Sequence, residues 1–263
     1  MSRALALFHR DARLALSYPV TFWMQWFSIF VTVAGLWLVS RLVPPSVNLG
    51  VSRNYFDYAL VNVAFFSLQA AALQSFSRAI RNDQFYGTLE VLLVTPTPLP
   101  LLVCAPSLWS FAITLAKVAW YLLVASLIFG FHIGAANVGL ALGVLGLIVA
   151  SSAAVGILSA AAIVRFKQDG IAGLFAGGAA SLLSGVLFPV ALLPAPLGVV
   201  SWLLPMTHGL AAIRTALAGG SWLRAAADIE WLLVATALLL PLALVAFRAA
   251  VTRTRRDGTL GHY

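Results

Sequence analysis

The chain has 263 residues, 62% of them hydrophobic and only 9% charged, with a mean hydropathy of +0.98. Soluble domains carry roughly 25% charged residues, so an ordinary water-soluble fold is excluded. Apolar runs of roughly 20 residues, each long enough to cross about 30 Å of hydrocarbon, recur along the whole chain and predict one all-α polytopic membrane domain over 1–263. The net charge of +8 comes from basic residues that punctuate the apolar runs instead of forming a patch, which argues against nucleic acid as a partner. Cys104 is the single cysteine, so neither an intrachain disulfide nor a CxxC centre or zinc-type cluster can be built.

Residues 1–18 contain no continuous apolar core and no small-residue cleavage site, unlike a secretory signal. On a helical projection Leu5, Phe8, Ala12 and Leu16 fall on one side and Arg3, Arg10 and Arg13 on another, which describes an amphipathic helix lying in the membrane interface. The alternative is a solvated basic tail. Six spans follow: Val20 to Val43, Tyr55 to Ser77, Leu101 to Phe131, Ala136 to Val164, Gly170 to Leu193 and Ile229 to Ala250. Between the last two, residues 194–220 are apolar but interrupted by Pro194, Pro196, Pro205 and Gly209. That pattern suits short re-entrant or outer helices better than a span.

With six spans and the N-terminus inside, eleven Lys and Arg residues lie on the inner side and four outside; counting 194–220 as a seventh span gives nine against six. The positive-inside rule favours six. The expectation is a multi-pass protein of the cell inner (plasma) membrane with both termini cytoplasmic, including the tail 251–263. The outward connections, Pro44 to Asn54 and His132 to Ala135, are too short to fold into a capture domain. The longest inward loop, 78–100, carries Phe85, Leu89, Leu92 and Leu93 at helical spacing around Glu90, the pattern of a short amphipathic helix on the cytoplasmic surface.

Several polar positions inside the spans invite a functional reading. Lys117 lies well within the third span, where an unpaired ammonium costs at least about 2.5 kcal/mol. It either meets an anionic group or a carboxylate such as Asp57 along a transport pathway, or snorkels. Asp57, Asn62, Gln69 and Gln74 make the second span unusually polar, suited to helix glue or to a cavity lining. Asp228 and Glu230 precede the last span; paired carboxylates can coordinate cations or shuttle protons, but the pair reads better as a solvated helix start stabilised by the helix dipole. Small-residue ridges, Gly173, Gly177, Ser181 and Gly185 in the fifth span and Gly139 and Gly143 in the fourth, predict close helix packing or a subunit interface. There is no GxSxG elbow and no HExxH, the four histidines are scattered, and the two lysines, Lys117 and Lys167, do not follow glycine as a GxxxxGK[ST] loop requires. No catalytic or metal site is predicted, and any ATP that drives the protein is bound by another subunit.

The loop Gly87-Thr88-Leu89-Glu90-Val91-Leu92-Leu93-Val94-Thr95-Pro96 resembles the GTLExLLxTP-like stretch in the first cytoplasmic loop of permease subunits of type 2 ABC exporters. A second match lies downstream. Ser184-Gly185-Val186-Leu187-Phe188-Pro189, Leu193-Pro194, Leu204-Pro205-Met206-Thr207 and Arg214 are similar in order and spacing to the family's SGxxFP, LP, NPxT and R region. His208 stands where the family often has an aromatic, and Leu204 where it often has Asn.

The resemblance implies that the first cytoplasmic loop is a coupling helix docking on a separate P-loop ATPase subunit, with Phe85, Gly87, Thr88, Leu89, Glu90, Leu92 and Leu93 at the contact and Glu90 its polar group. It implies a gate near the outer face built from Phe188, Pro189, Pro194, Pro205 and Thr207, and a pathway between two copies, in a homodimer or a heterodimer. It also implies that this chain binds no cofactor, ATP and Mg being held by the partner. The function so implied is export of a hydrophobic, amphipathic or lipid-linked compound. The competing class is a gradient-driven transporter using Lys117 and Asp57, or an intramembrane enzyme.

Overall fold

Helices account for every regular element among the described residues, which in this computed structural model are 13, 17–44, 52, 54–85, 99–131, 136–166 and 178–256. Four long helices come first: α1 (Pro19–Ser40), α2 (Tyr55–Phe85), α3 (Leu99–Phe129) and α4 (Val138–Phe166). The short helix α5 (Gly178–Leu183), a 3-10 turn (Val190–Leu192), and the helices α6 (Ala195–Leu203) and α7 (Pro205–Leu217) lead to the last long helix, α8 (Ala226–Arg256). Five of these helices are long and apolar enough to cross a membrane, and α6 with α7 forms a pair bent by 79°.

Helix starts follow local chemistry. Pro19 opens α1 at a position where its missing N–H is not needed. Asn54 accepts the Asp57 N–H at 2.8 Å at the head of α2, and Asn137 accepts the Leu140 N–H at 3.1 Å at the head of α4. The helices also outrun the apolar stretches: α2 continues to Phe85 and α8 to Arg256, so parts of the predicted loop 78–100 and tail 251–263 are helical. Helical hydrogen bonding does not require apolar side chains, and the spans end where hydropathy ends while the helices do not.

The helix α4 packs against α2, α7 and α8, and α3 lies between α1 and α2. The most polar span is also the most enclosed: 67% of the α2 window is buried, against 17% for α1 and 17% for the α8 window. Polar side chains in hydrocarbon are tolerated where they face protein, which places Asn62, Gln69 and Ser75 inside the bundle. One core gathers Val33, Leu60, Leu68, Leu140, Ile148, Leu210 and Ile213 from α1, α2, α4 and α7. A second, toward the predicted inner end, joins Phe76, Ile157 and Ile163 to Phe247 and Val251 of α8.

Three sequence expectations change here. The fifth predicted span, Gly170 to Leu193, is not helical to its end, because α5 stops at Leu183. There Gly185 adopts φ +73°, a left-handed conformation suited to glycine, and the Val186 N–H closes back on the Ser181 carbonyl at 3.1 Å. Gly209 does not break the chain but lies inside α7; the bend falls at Leu204, which is extended. Of the small-residue ridges, Gly173 and Gly177 lie outside the described residues, Gly185 forms the turn, and Gly143 makes room for the ring of Trp222, 3.0 Å from where a Cβ would stand.

The close helix contacts use other glycines. A Cβ on Gly156 of α4 would lie 2.6 Å from the Leu73 carbonyl oxygen of α2, so these backbones touch only because the side chain is missing. Gly156→Val is therefore expected to lower stability by about 1–3 kcal/mol. Gly146→Val, where nothing stands within 4 Å, should lower it much less; thermal unfolding in detergent compares them, and equal losses would contradict this packing.

Candidate functional site: a folded-back hairpin tied to the bundle

Between Leu183 and Pro205 regular helix is interrupted on both sides of α6, and carbonyls at the interruptions lose their intrahelical partners. Side chains supply donors in their place. The Tyr58 hydroxyl donates to the Gly185 carbonyl at 2.6 Å, and the Asn62 amide donates to the carbonyls of Gly185 and Val186, each at 3.1 Å. The Ser201 hydroxyl donates to the Leu183 carbonyl. The Thr207 hydroxyl donates to the Ser201 carbonyl at 2.6 Å, and His208 Nε2 lies 2.8 Å from the Trp202 carbonyl. Two helices thus hold the irregular segment: α2 grips its first half, and α7 folds back over its second.

The prolines fit their places. Pro189 precedes the 3-10 turn, Pro194 precedes α6, and Pro205 is the first residue of α7, each at a helix start where a missing N–H is harmless. Phe188 and Pro189 are half-buried beside the turn. Leu204 occupies the N-cap of α7 without a side-chain cap, where the family's asparagine would supply one.

Arg214, at the far end of α7, closes the arrangement. Its guanidinium donates to the Asn62 Oδ1 at 3.2 Å and lies over the Tyr58 ring, 4.8 Å from the centroid. Asn62 therefore uses both ends of its amide, donating to the turn and accepting from Arg214. Of the motif-like residues, Gly185, Val186 and Arg214, distant in sequence, meet at Tyr58 and Asn62, while Met206 at the other end of α7 packs on Leu73, farther along α2.

A second contact joins the hairpin to α8. His208 Nδ1 is 2.7 Å from Asp228 Oδ1, and the ring stacks on Trp231 with centroids 4.7 Å apart and planes 16° apart. Trp202 meets the same imidazole edge-on at 5.7 Å. The ring fills the place of the family's aromatic and adds two polar contacts. Sequence reading missed this pairing and took Asp228 as part of a solvated helix start; Glu230 is exposed, but Asp228 is engaged. The usable signal was Asp228 and Trp231 at i and i+3, on one face of α8.

Lys117 belongs elsewhere. Its Nζ donates to Gln25 Oε1 of α1 at 2.7 Å, beside the edge-to-face pair Trp26 and Trp120. Phe56 packs on Phe129 and Phe76 on Phe111, so α2 and α3 run antiparallel. Lys117 is twelve residues from Phe129, which puts it about 18 Å along the axis from the level of Asp57. The expected pairing of Lys117 with Asp57 is not formed. Because Cβ atoms tilt toward a helix N-terminus, the lysine leans toward the predicted inner end, the direction of snorkelling.

Gln69 is fully buried and neither amide atom has a hydrogen-bond partner among the described residues; Gly209 and Ile148 press against it. It lines no open path in this conformation. Gln74 accepts from Arg78 one turn later. Of the predicted coupling residues, Phe85 ends α2, while Gly87, Thr88, Leu89, Glu90, Leu92 and Leu93 lie outside the described residues, as does nearly all of the predicted interfacial helix 1–18.

Asn62 and Gln69, both buried on α2, should respond oppositely to removal. Asn62→Leu strands the Gly185 and Val186 carbonyls and Arg214, and is expected to destabilise by about 2–3 kcal/mol, whereas Gln69→Leu removes an unmatched polar group and should stabilise by about 1–3 kcal/mol. Thermal unfolding of the two variants in detergent decides this; shifts of the same sign would contradict it.

The family model for ABC-2 type transporters matches residues 3–218, and no curated protein matches the chain. The matched stretch includes α1 to α7 and thus both the Asn62–Arg214 contact and the folded-back hairpin. The chain belongs to the ABC-2 type transporter family and is a multi-pass membrane permease subunit without a nucleotide-binding motif of its own.

Proposed function

We propose that this chain forms half of the translocation pathway of an ATP-driven exporter that moves a hydrophobic, amphipathic or lipid-linked compound outward across the inner membrane. ATP and Mg bind on a separate P-loop ATPase subunit, and two permease copies, identical or different, enclose the path. Family membership supports the paired ATPase and the dimer. The observation that carries the direction of transport is the hairpin of α6 and α7, bent by 79° and tied to α2 and α8 at the predicted outer end. The apolar face of α7 is packed on the bundle, Leu210, Ile213 and Ala216 among it, and packed helices shift as units between discrete arrangements, as a gate must. The short connections at that end leave no domain to receive substrate from outside, which favours export.

In this reading both termini are cytoplasmic and the loop after α2 is the coupling helix, with Glu90 as its polar contact. The long, continuous α2 links that loop to Tyr58 and Asn62 beneath the hairpin. A push from nucleotide-driven closure therefore reaches the gate through one rigid element, since packed helices move as units.

The test is purification of the tagged protein from its native membranes in mild detergent, with mass-spectrometric stoichiometry. A near one-to-one P-loop ATPase is expected, and Glu90→Lys should reduce its recovery by about tenfold, the effect of reversing a charge at a docking surface. Absence of any nucleotide-binding partner under several gentle conditions would move the reading to gradient-driven transport. Full recovery with Glu90→Lys would remove Glu90 from the contact.

A further inference from the structure

Hydrogen-bond accounting at His208 has a strict consequence. A backbone carbonyl can only accept, so the contact of Nε2 with the Trp202 carbonyl at 2.8 Å requires Nε2 to carry hydrogen. Nδ1 faces Asp228 Oδ1 at 2.7 Å. If Nδ1 were bare and Asp228 ionised, a nitrogen lone pair would face a carboxylate oxygen at hydrogen-bond distance. The contact holds only with one further proton between the two atoms, either on Nδ1, giving an imidazolium and a carboxylate, or on Oδ1, giving two neutral groups.

The surroundings enclose the pair unevenly. His208 is 9% exposed at its side chain and Asp228 26%, so the pair is enclosed on the histidine side and open on the carboxylate side. Trp231 presents its face to the imidazole, an arrangement that suits a cation. Few charged groups lie on the elements packed around the pair. No residue of α6 is titratable, and α4 carries its single charged residue, Arg165, at its opposite end. On α2, Asp57 and Tyr58 lie at the head of the helix, with Arg214 of α7 over the Tyr58 ring. Glu230 of α8 and Arg224 in the preceding turn are exposed.

The contact joins two elements that must separate if the hairpin moves. His208 and Trp202 belong to the hairpin, and Asp228 and Trp231 to α8. We infer that His208 and Asp228 form a proton-operated latch between the folded-back hairpin and the last span, closed when the shared proton is bound and released when it leaves. The inference rests on reading the hairpin as a gate, and it makes His208 a positioning residue whose effect depends on the pH at that face.

The variants differ in direction. Asp228→Asn replaces the shared proton with a permanent N–H donor to a neutral imidazole, so the latch stays closed at every pH. His208→Phe keeps the stack on Trp231 but cannot hold the proton, so the latch loses its pH response and rests released. His208→Gln, which donates without titrating, serves if the phenylalanine variant does not accumulate.

The test uses the full chain in nanodiscs with Cys104→Ser, spin labels at Val199→Cys of α6 and Leu233→Cys of α8, both exposed, and pulsed electron-spin distance measurements from about pH 5 to about pH 8. No ATPase is needed, so the outcome is separate from that of the co-purification. The wild type is expected to show one narrow distance at low pH that broadens or lengthens along a one-proton curve. Asp228→Asn should keep the narrow distance throughout, and His208→Phe or His208→Gln should show no titration. A wild-type distance that ignores pH, or a His208 variant that titrates like the wild type, would overturn the latch. So would Asp228→Asn titrating like the wild type.

Discussion

A carbonyl freed from a helix inside a membrane has no water to accept from, and one left unmet costs several kcal/mol. This constraint organises the functional end of the protein. Interrupting the chain between Leu183 and Pro205 frees the carbonyls of Leu183, Gly185, Val186 and Trp202, and each receives a hydrogen bond from a side chain: Ser201, Tyr58 with Asn62, Asn62 and His208 respectively; the Ser201 carbonyl, which takes the Leu204 N–H, accepts from Thr207 as well. The polar residues at this end are the condition for breaking the helix at all. Their donors come from α2 and from the hairpin itself, so the irregular segment is fastened to the bundle by side chains instead of by a continuous backbone ladder.

The hairpin fastened in this way is the element to which the proposed export assigns the gate. Its backbone is rigid within α6 and within α7, the bend between them is fixed by Leu204 and Pro205, and α7 joins the bundle through a buried apolar face as well as through the polar contacts of Arg214 and His208. The central helix α4 provides the surface against which α7 rests, with Gly209 pressed on Ile148. Behind it, α2 runs without interruption from Asn62 to Phe85. Energy delivered at one end of such a helix can change contacts at the other without unfolding anything between them.

The membrane class and the long helices were legible because length and hydropathy alone determine them. Pro194 and Pro205 announced the two hairpin helices because proline favours a helix start, although α8 accommodates Pro241 in its interior. The end of the fifth span was not legible, since an apolar run reads the same whether Gly185 continues a helix or turns left-handed. The roles of Asn62 and Gln69 could not be told apart either. They are seven residues apart on one stripe of α2 and share a chemistry; one faces freed carbonyls and an arginine, while the other faces intact helices whose backbones are already satisfied. Lys117 drew attention as the lone ammonium in a span, but its partner is a neutral glutamine on α1, away from the hairpin. His208 was passed over because its carboxylate lies twenty residues downstream, on another helix.

The most direct measurement is cryo-electron microscopy of the complex purified from native membranes, without nucleotide and with ATP bound to a hydrolysis-deficient ATPase. The expected result is two permease copies facing each other, an ATPase against residues 86–98 of each, and the α6–α7 hairpin displaced relative to α4 between the two states. Superimposable hairpins in both states, with substrate density passing elsewhere, would contradict the gate, and an assembly without ATPase would contradict the exporter.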